Sequence, residues 1–317
     1  MLARTADSLF WLARYMERAE NVARILQVGQ RMASMSTAGD RGGNEWWSAL
    51  AATGSAQGFV DLYGEGAADE RHLVHWLVRA PENPSSIFSC LETARRNARA
   101  VRTALTVDMW EALNETWLGL QGFGEDDLGP ERVVPFLEWV RHRSLLFHGA
   151  YANTMLRNDA YFFTQLGTFV ERADDTARIL DVKYHVLLPS AEEVGGLLDY
   201  SQWQSVLRAV SAVRAYHWVF HDRVRPWQVA ELLVLRPEMP RSLRSCYAQI
   251  TRYLDLLSGS HGGRRGECHR LAGEIDARLR FGRIEGILQG GLHEFLTRFI
   301  HDTDSLGRLI GEFYLGA

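Results

Sequence analysis

Two long segments of the chain place apolar residues three and four positions apart. The first segment runs from Leu9 to Leu26, and the second runs from Phe163 to Leu180. Residues at this spacing lie on one face of an α-helix, because the helix completes a turn about every 3.6 residues. Both segments are therefore predicted to be helices that bury one face.

Helical periodicity also covers most of the remaining chain, whereas the period-two alternation typical of strands is absent. The predicted helices are separated by segments rich in Gly, Pro, Ser and Asp. None of the Gly-rich segments follows a predicted strand, so the pattern does not support a P-loop or a Rossmann phosphate site. We predict an all-α, multi-helix bundle. Its further helices are predicted at residues 68–79, 85–105, 108–120, 131–155, 201–220, 226–234, 241–257, 265–281 and 284–314.

The two long segments also share a sequence. Residues 15–28 and 169–182 are identical at eight of fourteen positions, at an offset of 154 residues. A segment repeated in this way indicates an internally duplicated helical unit. The chain is therefore predicted to form a single helical domain, residues 1–317, with pseudo-repeats at about 1–150 and 151–317. The identical pairs are Glu17/Glu171, Arg18/Arg172, Ala19/Ala173, Ala23/Ala177, Arg24/Arg178, Ile25/Ile179, Leu26/Leu180 and Val28/Val182.

The repeated residues are partly polar, so the repeat is more than a packing pattern. In the first copy, Glu17, Asn21 and Arg24 form a stripe beside an apolar face that contains Ala19 and Ala23. Small residues on that face would let another helix approach closely, and the two repeat helices are predicted to pack together. The candidate polar residues of the two copies are Glu17, Arg18, Glu20, Asn21, Arg24, Glu171, Arg172, Asp174, Asp175 and Arg178.

Two roles for these polar residues stay open. If the helices run antiparallel, Glu17 would face Arg178 and Glu171 would face Arg24, forming a buried ion-pair network that fixes the register of the bundle. Alternatively, the residues form an interior polar site that binds a charged ligand or a partner's peptide. No metal and no cofactor are predicted, because di-iron bundles combine Glu with Glu-x-x-His and neither copy contains that pattern.

The amino-acid composition and charge exclude several classes of protein. The chain has 317 residues, of which 46% are hydrophobic, with a net charge of −4 and a pI near 6.3. This length permits a large core, and the charge argues against a nucleic-acid-binding surface. The three cysteines are widely spaced, the N-terminus lacks the pattern of a signal peptide, and no apolar run is long enough to cross a membrane. We expect a reduced, cytoplasmic, soluble protein.

Two histidine-containing segments are weaker candidates for chemistry. His217 and His221 have the i, i+4 spacing of metal ligands and lie beside Asp222, but no third ligand is evident, so a half-buried aromatic face is favoured. A second segment, from Arg141 to His148, is predicted to be a basic helix face that is solvated or paired with an acidic loop.

A third candidate is the segment Pro240-Arg241-Ser242, which has the sequence of a helix start. A helix N-terminus attracts anions, and Arg241 would strengthen that attraction. A simple turn between helices is the favoured interpretation.

The motifs of the chain resemble those of the bacterial alpha-E domain family. The resemblance lies in the opening residues 2–21 (LARTADSLFWLARYMERAEN), in residues 162–178 and in residues 240–243 (PRSL), and it extends over essentially the whole chain. It implies an all-α protein whose partners are a circularly permuted ATP-grasp ligase and a transglutaminase-like protease. By motif, the residues of interest in such a protein are Glu17, Arg18, Arg24, Glu171, Arg172, Arg178 and Arg241.

Three functions are consistent with this resemblance. The leading one is an accessory component that binds the ligase, or its peptide product, through the Glu/Arg core. The second is an enzyme that uses the clustered carboxylates as acid and base groups on an amide or peptide substrate. The third is a structural scaffold that forms a homodimer through exposed helical faces.

Overall fold

The computed structural model describes residues 1–34, 44–67, 69–129, 132–185 and 196–316. These residues form fifteen α-helices and no strand, which confirms the all-α prediction. The helices are α1 (Ala3–Ala33), α2 (Asn44–Thr53), α3 (Ala56–Tyr63), α4 (Glu70–Val78), α5 (Ile87–Ala100), α6 (Val107–Leu120), α7 (Val133–Thr154), α8 (Asp159–His185), α9 (Leu197–Ala209), α10 (Val213–Phe220), α11 (Pro226–Leu235), α12 (Leu243–Ser260), α13 (Glu267–Phe281), α14 (Ile284–Gln289) and α15 (Leu292–Ile310).

The two repeat helices, α1 and α8, pack against each other at the centre of the protein. Their predicted apolar faces are buried from Leu9 to Leu26 and from Phe163 to Leu180. Burial extends to the polar flanks of α1, because other helices cover it on several sides. The prediction that the Glu-Arg-Ala helices pack together is therefore confirmed.

The two repeat helices do not have the antiparallel direction on which the pairs Glu17–Arg178 and Glu171–Arg24 depended. The N-terminal ammonium lies 3.7 Å from Asp159, the first residue of α8, and Arg14 of α1 bonds to Glu171 of α8. Contacts therefore advance along both helices in the same direction, and α1 and α8 run parallel. The intervening helices α2–α7 return the chain to the end of the bundle at which α1 began, which the helical spacing could not reveal.

A close approach of backbones fixes the α1–α8 contact. Gly167 lies directly against Phe10, where an added Cβ would overlap the Phe10 carbonyl oxygen and lie 3.2 Å from its Cα. Gly167 occupies the position that matches Ala13 in the first copy. At this crossing, even a methyl group has no room.

The helices around α1 and α8 follow the same order in each half of the chain. Helices α5 and α7 pack on α1 and α6 bridges them, whereas α12 and α15 pack on α8 and α13 bridges them. Short helices fill the intervals, with α2 and α9 each contacting both α1 and α8. The helices of each half thus pack around the repeat helix of that half, and the two repeat helices also contact each other.

Several predicted helix boundaries differ from the structure. The predicted helix 201–220 is two helices separated at Ser211, whose φ is +58°. The predicted helix 284–314 is broken at Gly291, whose φ is +87°, and α2 and α3 lie in a segment without a predicted helix. Within the described part of the chain, no helix combines the length and the apolar character needed to cross a membrane.

Candidate functional site

The Glu-Arg pairs of α1 and α8 exchange partners. Glu17 accepts hydrogen bonds from Arg172 Nε and Nη2 at 3.0 and 2.8 Å, and Glu171 accepts bonds from Arg18 Nε and Nη2 at 2.5 and 3.1 Å. Each carboxylate thus binds, in bidentate fashion, the arginine that follows the glutamate of the other helix. The pairs Glu17–Arg178 and Glu171–Arg24 expected for antiparallel helices are not the ones that form, because parallel helices place the two Glu-Arg motifs side by side.

The first half of the site consists of the residues around Glu17 and Glu20, whose carboxylates are bound by a network of mostly positive groups. The guanidinium of Arg241 bridges them, with Nη1 2.8 Å from Glu17 Oε1 and Nη2 2.8 Å from Glu20 Oε1. Arg24 donates to Glu20 Oε1 through Nε at 2.9 Å, and Ser144 donates to Glu20 Oε2 at 2.6 Å. Both carboxylates are completely buried and fully paired.

The second half of the site consists of the residues around Glu171 and Asp174, whose carboxylates have different ion-pair partners. Arg14 donates to Glu171 Oε2 at 2.6 Å, and Arg178 donates to Asp174 Oδ2 at 2.6 Å. Arg178 also bonds through Nη1 to the carbonyl oxygen of Ala52, at the end of α2. Gly54 lies so close to this guanidinium that an added Cβ would be 2.9 Å from Nη1.

A polar cavity of about 200 Å³ opens beside this second half. Asp175, which is 2% exposed, contributes a buried Oδ2 that has no hydrogen-bond partner, and Asn21 contributes a buried Oδ1 in the same state. Arg178 and Asp174, with side chains 25% and 16% exposed, connect the cavity to the surface. The cavity is lined by Arg18, Asn21, Val22, Thr53, Gly54, Ser85, Glu171, Asp174, Asp175 and Arg178.

Burial and neighbouring charges shift the pKa values of Glu171 and Asp175 in opposite directions. Burial would raise the pKa of Glu171, but Arg18 and Arg14 outweigh it and lower that pKa to about 2. Burial also raises the pKa of Asp175 well above its ordinary value, and the negative charge of Glu171 raises it further. A buried carboxyl group with a raised pKa in a solvent-reachable cavity is a candidate functional group.

A protein family whose description also names a Glu-Arg motif matches this chain. Residues 1–315 match the Alpha-E family, which is described as a predicted alpha-helical domain with a conserved ER motif. The chain belongs to the Alpha-E family. The resemblance found in the sequence is confirmed, and Glu17-Arg18 and Glu171-Arg172 each have the sequence ER.

Curated relatives of this Alpha-E chain are longer proteins. It is 25% identical over 295 residues to the uncharacterized protein Mb2597 of Mycobacterium bovis and to the uncharacterized protein Rv2567 of Mycobacterium tuberculosis. The match covers 87% of this chain but 32% of each relative, so the chain spans about a third of their length. No solved structure matches the chain.

The Alpha-E chain contains a second matched segment that the sequence analysis missed. Residues 81–90 (PENPSSIFSC) and 237–246 (PEMPRSLRSC) agree at six of ten positions, at an offset of 156 residues. Ser86 caps α5 by accepting from Ser89 N, and Ser242 caps α12 by accepting from Ser245 N. An internal comparison of the whole sequence would have found this signal.

Arg241 belongs to this second segment, and the structure places it in the site. Its guanidinium bridges Glu17 and Glu20, and the segment forms the turn before α12 that was favoured over an anion site. The matched position in the first segment is Ser85, which lines the polar cavity.

The structure also adds His148 to the Alpha-E core. Its Nε2 lies 3.0 Å from Glu17 Oε2 and 4.0 Å from Glu20 Oε2, so the expectation of a solvated basic face is wrong for this residue. In the described part of the chain, Glu17, Glu20 and His148 could hold a metal ion, since their ligand atoms lie within 4.8 Å of one another. Arg172 and Arg241 already bind these carboxylates, so the geometry fits an ion-pair network better than a cation site.

His221 and two of the cysteines do not support further chemistry. His221 adopts a left-handed conformation at the C-terminal end of α10, where φ is +50°. Cys90 and Cys246 are buried, and burial raises the pKa of each thiol to about 12. A thiol that stays protonated near neutral pH is a poor nucleophile, so neither cysteine supports covalent catalysis.

Acid should destabilise this Alpha-E chain. Burial raises the pKa of Glu20, but Arg241 and Arg24 outweigh it and lower that pKa from 4.5 to about 2, as in Glu171. A folded-state pKa below the unfolded value means that the ionised form stabilises the fold above the unfolded pKa. We expect the free energy of unfolding to fall as the pH drops from about 4.5 toward 2. Urea denaturation along this pH series measures it, and a flat profile would contradict the ion-pair network.

Proposed function

We propose that this Alpha-E chain is a binding component of a system that forms or processes peptide or amide bonds. Its partners would be a circularly permuted ATP-grasp ligase and a transglutaminase-like protease, as the family resemblance implies. The polar cavity beside Glu171 would hold the ligand, with Asp175 and Asn21 at its base. The observation that carries this proposal is the buried, unpartnered carboxylate of Asp175 inside a cavity that reaches the surface.

The Asp175 carboxylate is difficult to explain by folding alone. An unpaired buried carboxylate costs free energy, because it loses its hydration without gaining a partner. The pairs Glu17–Arg172 and Glu171–Arg18 that join α1 to α8 do not involve Asp175, so the register of these helices does not depend on it. Functional sites commonly retain groups of this kind at the expense of stability.

The length of the curated relatives supports a role as one component among several. In Mb2597 and Rv2567 the matched segment is 32% of the chain, so an Alpha-E unit occurs there within a larger polypeptide. A unit that works beside other chains or domains fits that arrangement.

The two halves of the chain would derive from a duplicated helical unit. Support comes from the matched segments 15–28 and 169–182, from the second pair 81–90 and 237–246, and from the common order of helices around α1 and α8. Under this proposal, residues 1–317 form one domain, because the two halves share the Glu-Arg exchange at their centre.

Asp175→Asn should raise the free energy of unfolding at pH 7, because it removes a buried group whose ionised form is unfavourable in the folded protein. A raised folded-state pKa means that the carboxylate destabilises the fold as the pH rises above the unfolded value of 3.8. The gain should therefore be larger at pH 7 than at pH 4, as measured by urea denaturation. The matched control is Asp304→Asn, because Asp304 is exposed on α15 and should show no such gain.

Co-purification tests the binding role. The chain would be expressed with the neighbouring ligase and protease, and bound peptides and small molecules would be identified by mass spectrometry. We expect Asp175→Asn to lose the bound ligand while remaining folded, and Asp304→Asn to retain it. If folded Asp175→Asn and Arg178→Met variants bind ligand and partners like the parent, the cavity has no binding role.

The raised pKa of Asp175 also favours a second candidate function, an enzyme acting on an amide or peptide substrate. A protonated carboxyl group beside a cavity can act as a general acid, and it becomes a base when it ionises. Turnover of a peptide product of the ligase by the purified chain, lost in Asp175→Asn, would support this candidate. Binding of that peptide without turnover would support the binding component instead.

A further inference from the structure

Ser85 and Arg241 occupy equivalent places in the two halves of the site. Each lies one residue before the serine that caps its helix, α5 or α12, and each is half-buried. Cys90 lies 3.9 Å from the carbonyl oxygen of Pro84, and Cys246 lies 4.0 Å from that of Pro240. The backbones around Ser85 and Arg241 are therefore alike, and the side chains alone differ.

The glutamates beside these two residues differ in one hydrogen bond. Glu17 Oε1 accepts from Arg172 Nε at 3.0 Å and also lies 2.8 Å from Arg241 Nη1. Glu171 Oε1, its counterpart, accepts from Arg18 Nε at 2.5 Å, and no second donor reaches it within the described residues. A carboxylate oxygen accepts two bonds, so Glu171 has one position to spare.

Glu20 and its counterpart Asp174 also differ by a bond from Arg241. Glu20 Oε1 lies 2.8 Å from Arg241 Nη2 in addition to its bonds from Arg24. The counterpart of Glu20 is Asp174, whose Oδ2 accepts from Arg178, whereas its Oδ1 has no partner among the residues described. The place that Arg241 fills in one half is thus a cavity in the other half.

The unpaired carboxyl group of Asp175 also favours a positive ligand. The cavity is lined by the carboxyl groups of Glu171, Asp174 and Asp175 and by Arg18 and Arg178, and Arg14 binds Glu171 from outside the lining. The Arg18 and Arg178 guanidinium groups are already engaged by Glu171 and Asp174. Asp175 is the carboxylate left over, with its Oδ2 buried and unpartnered.

We propose that the cavity binds a guanidinium group of a ligand between Glu171, Asp174 and Asp175, in the manner in which Arg241 binds Glu17 and Glu20. This inference rests on the proposed function and names the chemistry of its ligand. The source is either an arginine side chain in a peptide or a free alkylguanidine. The buried base at Asp175 would receive the guanidinium, and the partly exposed rim at Arg178 would leave the rest of the ligand outside.

The geometry favours a guanidinium over an ammonium group. Arg241 contacts Glu17 and Glu20 through two different nitrogens of one planar group. A guanidinium presents its donors in a rigid fork that can bridge two carboxylates, whereas an ammonium is a compact point charge. Glu171 and Asp174 occupy the matching positions of the second repeat, and both line the cavity.

Binding should release a proton and therefore strengthen as the pH rises. Asp175 carries a raised pKa in the free protein, and an adjacent cation favours its ionised form. The titratable and charged groups that act on Asp175 are Glu17 and Arg18 of α1, Cys90 of α5, Glu171, Asp174 and Arg178 of α8, Arg241 before α12, and Cys246 of α12.

Calorimetric titration of the full chain tests the proposal with four probes. These are agmatine, free arginine, an acetylated and amidated arginine peptide, and the same peptide with lysine. We expect the arginine peptide or agmatine to bind at least about tenfold more tightly than the lysine peptide. Binding of the arginine peptide alone identifies a peptide source, and binding of agmatine or free arginine identifies a small-molecule source.

Ser85→Arg should place the protein's own guanidinium in the cavity and abolish binding. Asp175→Asn should weaken binding by at least about tenfold, and it provides a second variant if Ser85→Arg fails to fold. Asp304→Asn should bind like the parent. Absence of heat with every guanidinium probe, or unchanged binding in both cavity variants, would overturn the proposal. A neutral or anionic ligand that co-purifies and depends on Asp175 would overturn it as well, while leaving the proposed function intact.

Discussion

Replacement of Glu17 by Gln should lower the free energy of unfolding by about 3–5 kcal/mol. Glu17 has no exposed surface, and its carboxylate binds the guanidinium groups of Arg172 and Arg241. The amide keeps the size of the side chain but removes the charge, so both guanidinium groups lose the partner that offsets their desolvation. Chemical denaturation with urea at pH 7 would measure the loss.

The matched control for this prediction is Glu115→Gln. Glu115 is paired with Arg143 at 3.0 Å, as closely as Glu17 with its partners, but its side chain is 63% exposed. A solvent-exposed ion pair contributes about 0–1 kcal/mol, so the control should change stability little. Equal losses in the two variants would show that burial of the Glu-Arg exchange does not matter for stability.

Gly167→Ala should destabilise the protein by about 1–3 kcal/mol, even though alanine favours helices over glycine. The new Cβ would overlap the carbonyl oxygen of Phe10 and lie 3.0 Å from its carbonyl carbon. Backbone atoms cannot rotate away as a flexible side chain can, so α1 and α8 must separate. The separation would also lengthen the bonds from Arg14 and Arg18 to Glu171.

Thermal and urea unfolding of Gly167→Ala would be compared with Gly273→Ala. Gly273 lies within α13, is exposed, and would place a new Cβ in open space. There the helix propensity of alanine acts alone, and a gain of about 1 kcal/mol is expected. If Gly167→Ala were equally stabilising, the close α1–α8 contact would be wrong.

The two Glu-Arg motifs differ in how completely their carboxylates are paired. Around Glu17 the network is closed, because Arg241 supplies the last positive group and the carboxylates are dry and paired. Around Glu171 the network is open, because Ser85 leaves a cavity that Asp175 and Asn21 reach without partners. Stability is therefore expected to depend most on the first half, and ligand binding on the second.

The sequence located most of the polar site but not its pairings. Glu17, Arg18, Glu171, Arg172 and Arg241 do converge, and their motifs identified the family. The partners expected for antiparallel helices are not the ones that form, because helical spacing gives the face of a helix and not its direction. His148 and Arg14 were missed, since His148 comes from α7 and the residue matching Arg14 is Thr168, so no repeat marks either position.

By itself, the sequence determined that the chain is helical and that residues 15–28 and 169–182 carry the same motif, and it predicted that these two helices pack together. Periodicity and repetition are local properties, and the sequence displays them directly. Only the tertiary structure decided that α1 and α8 run parallel and that one half of the site is closed while the other is open. That difference depends on one position in the turn before α12 or α5, where Arg241 reaches Glu17 and Ser85 leaves a cavity, and such contacts exist only after the helices have packed.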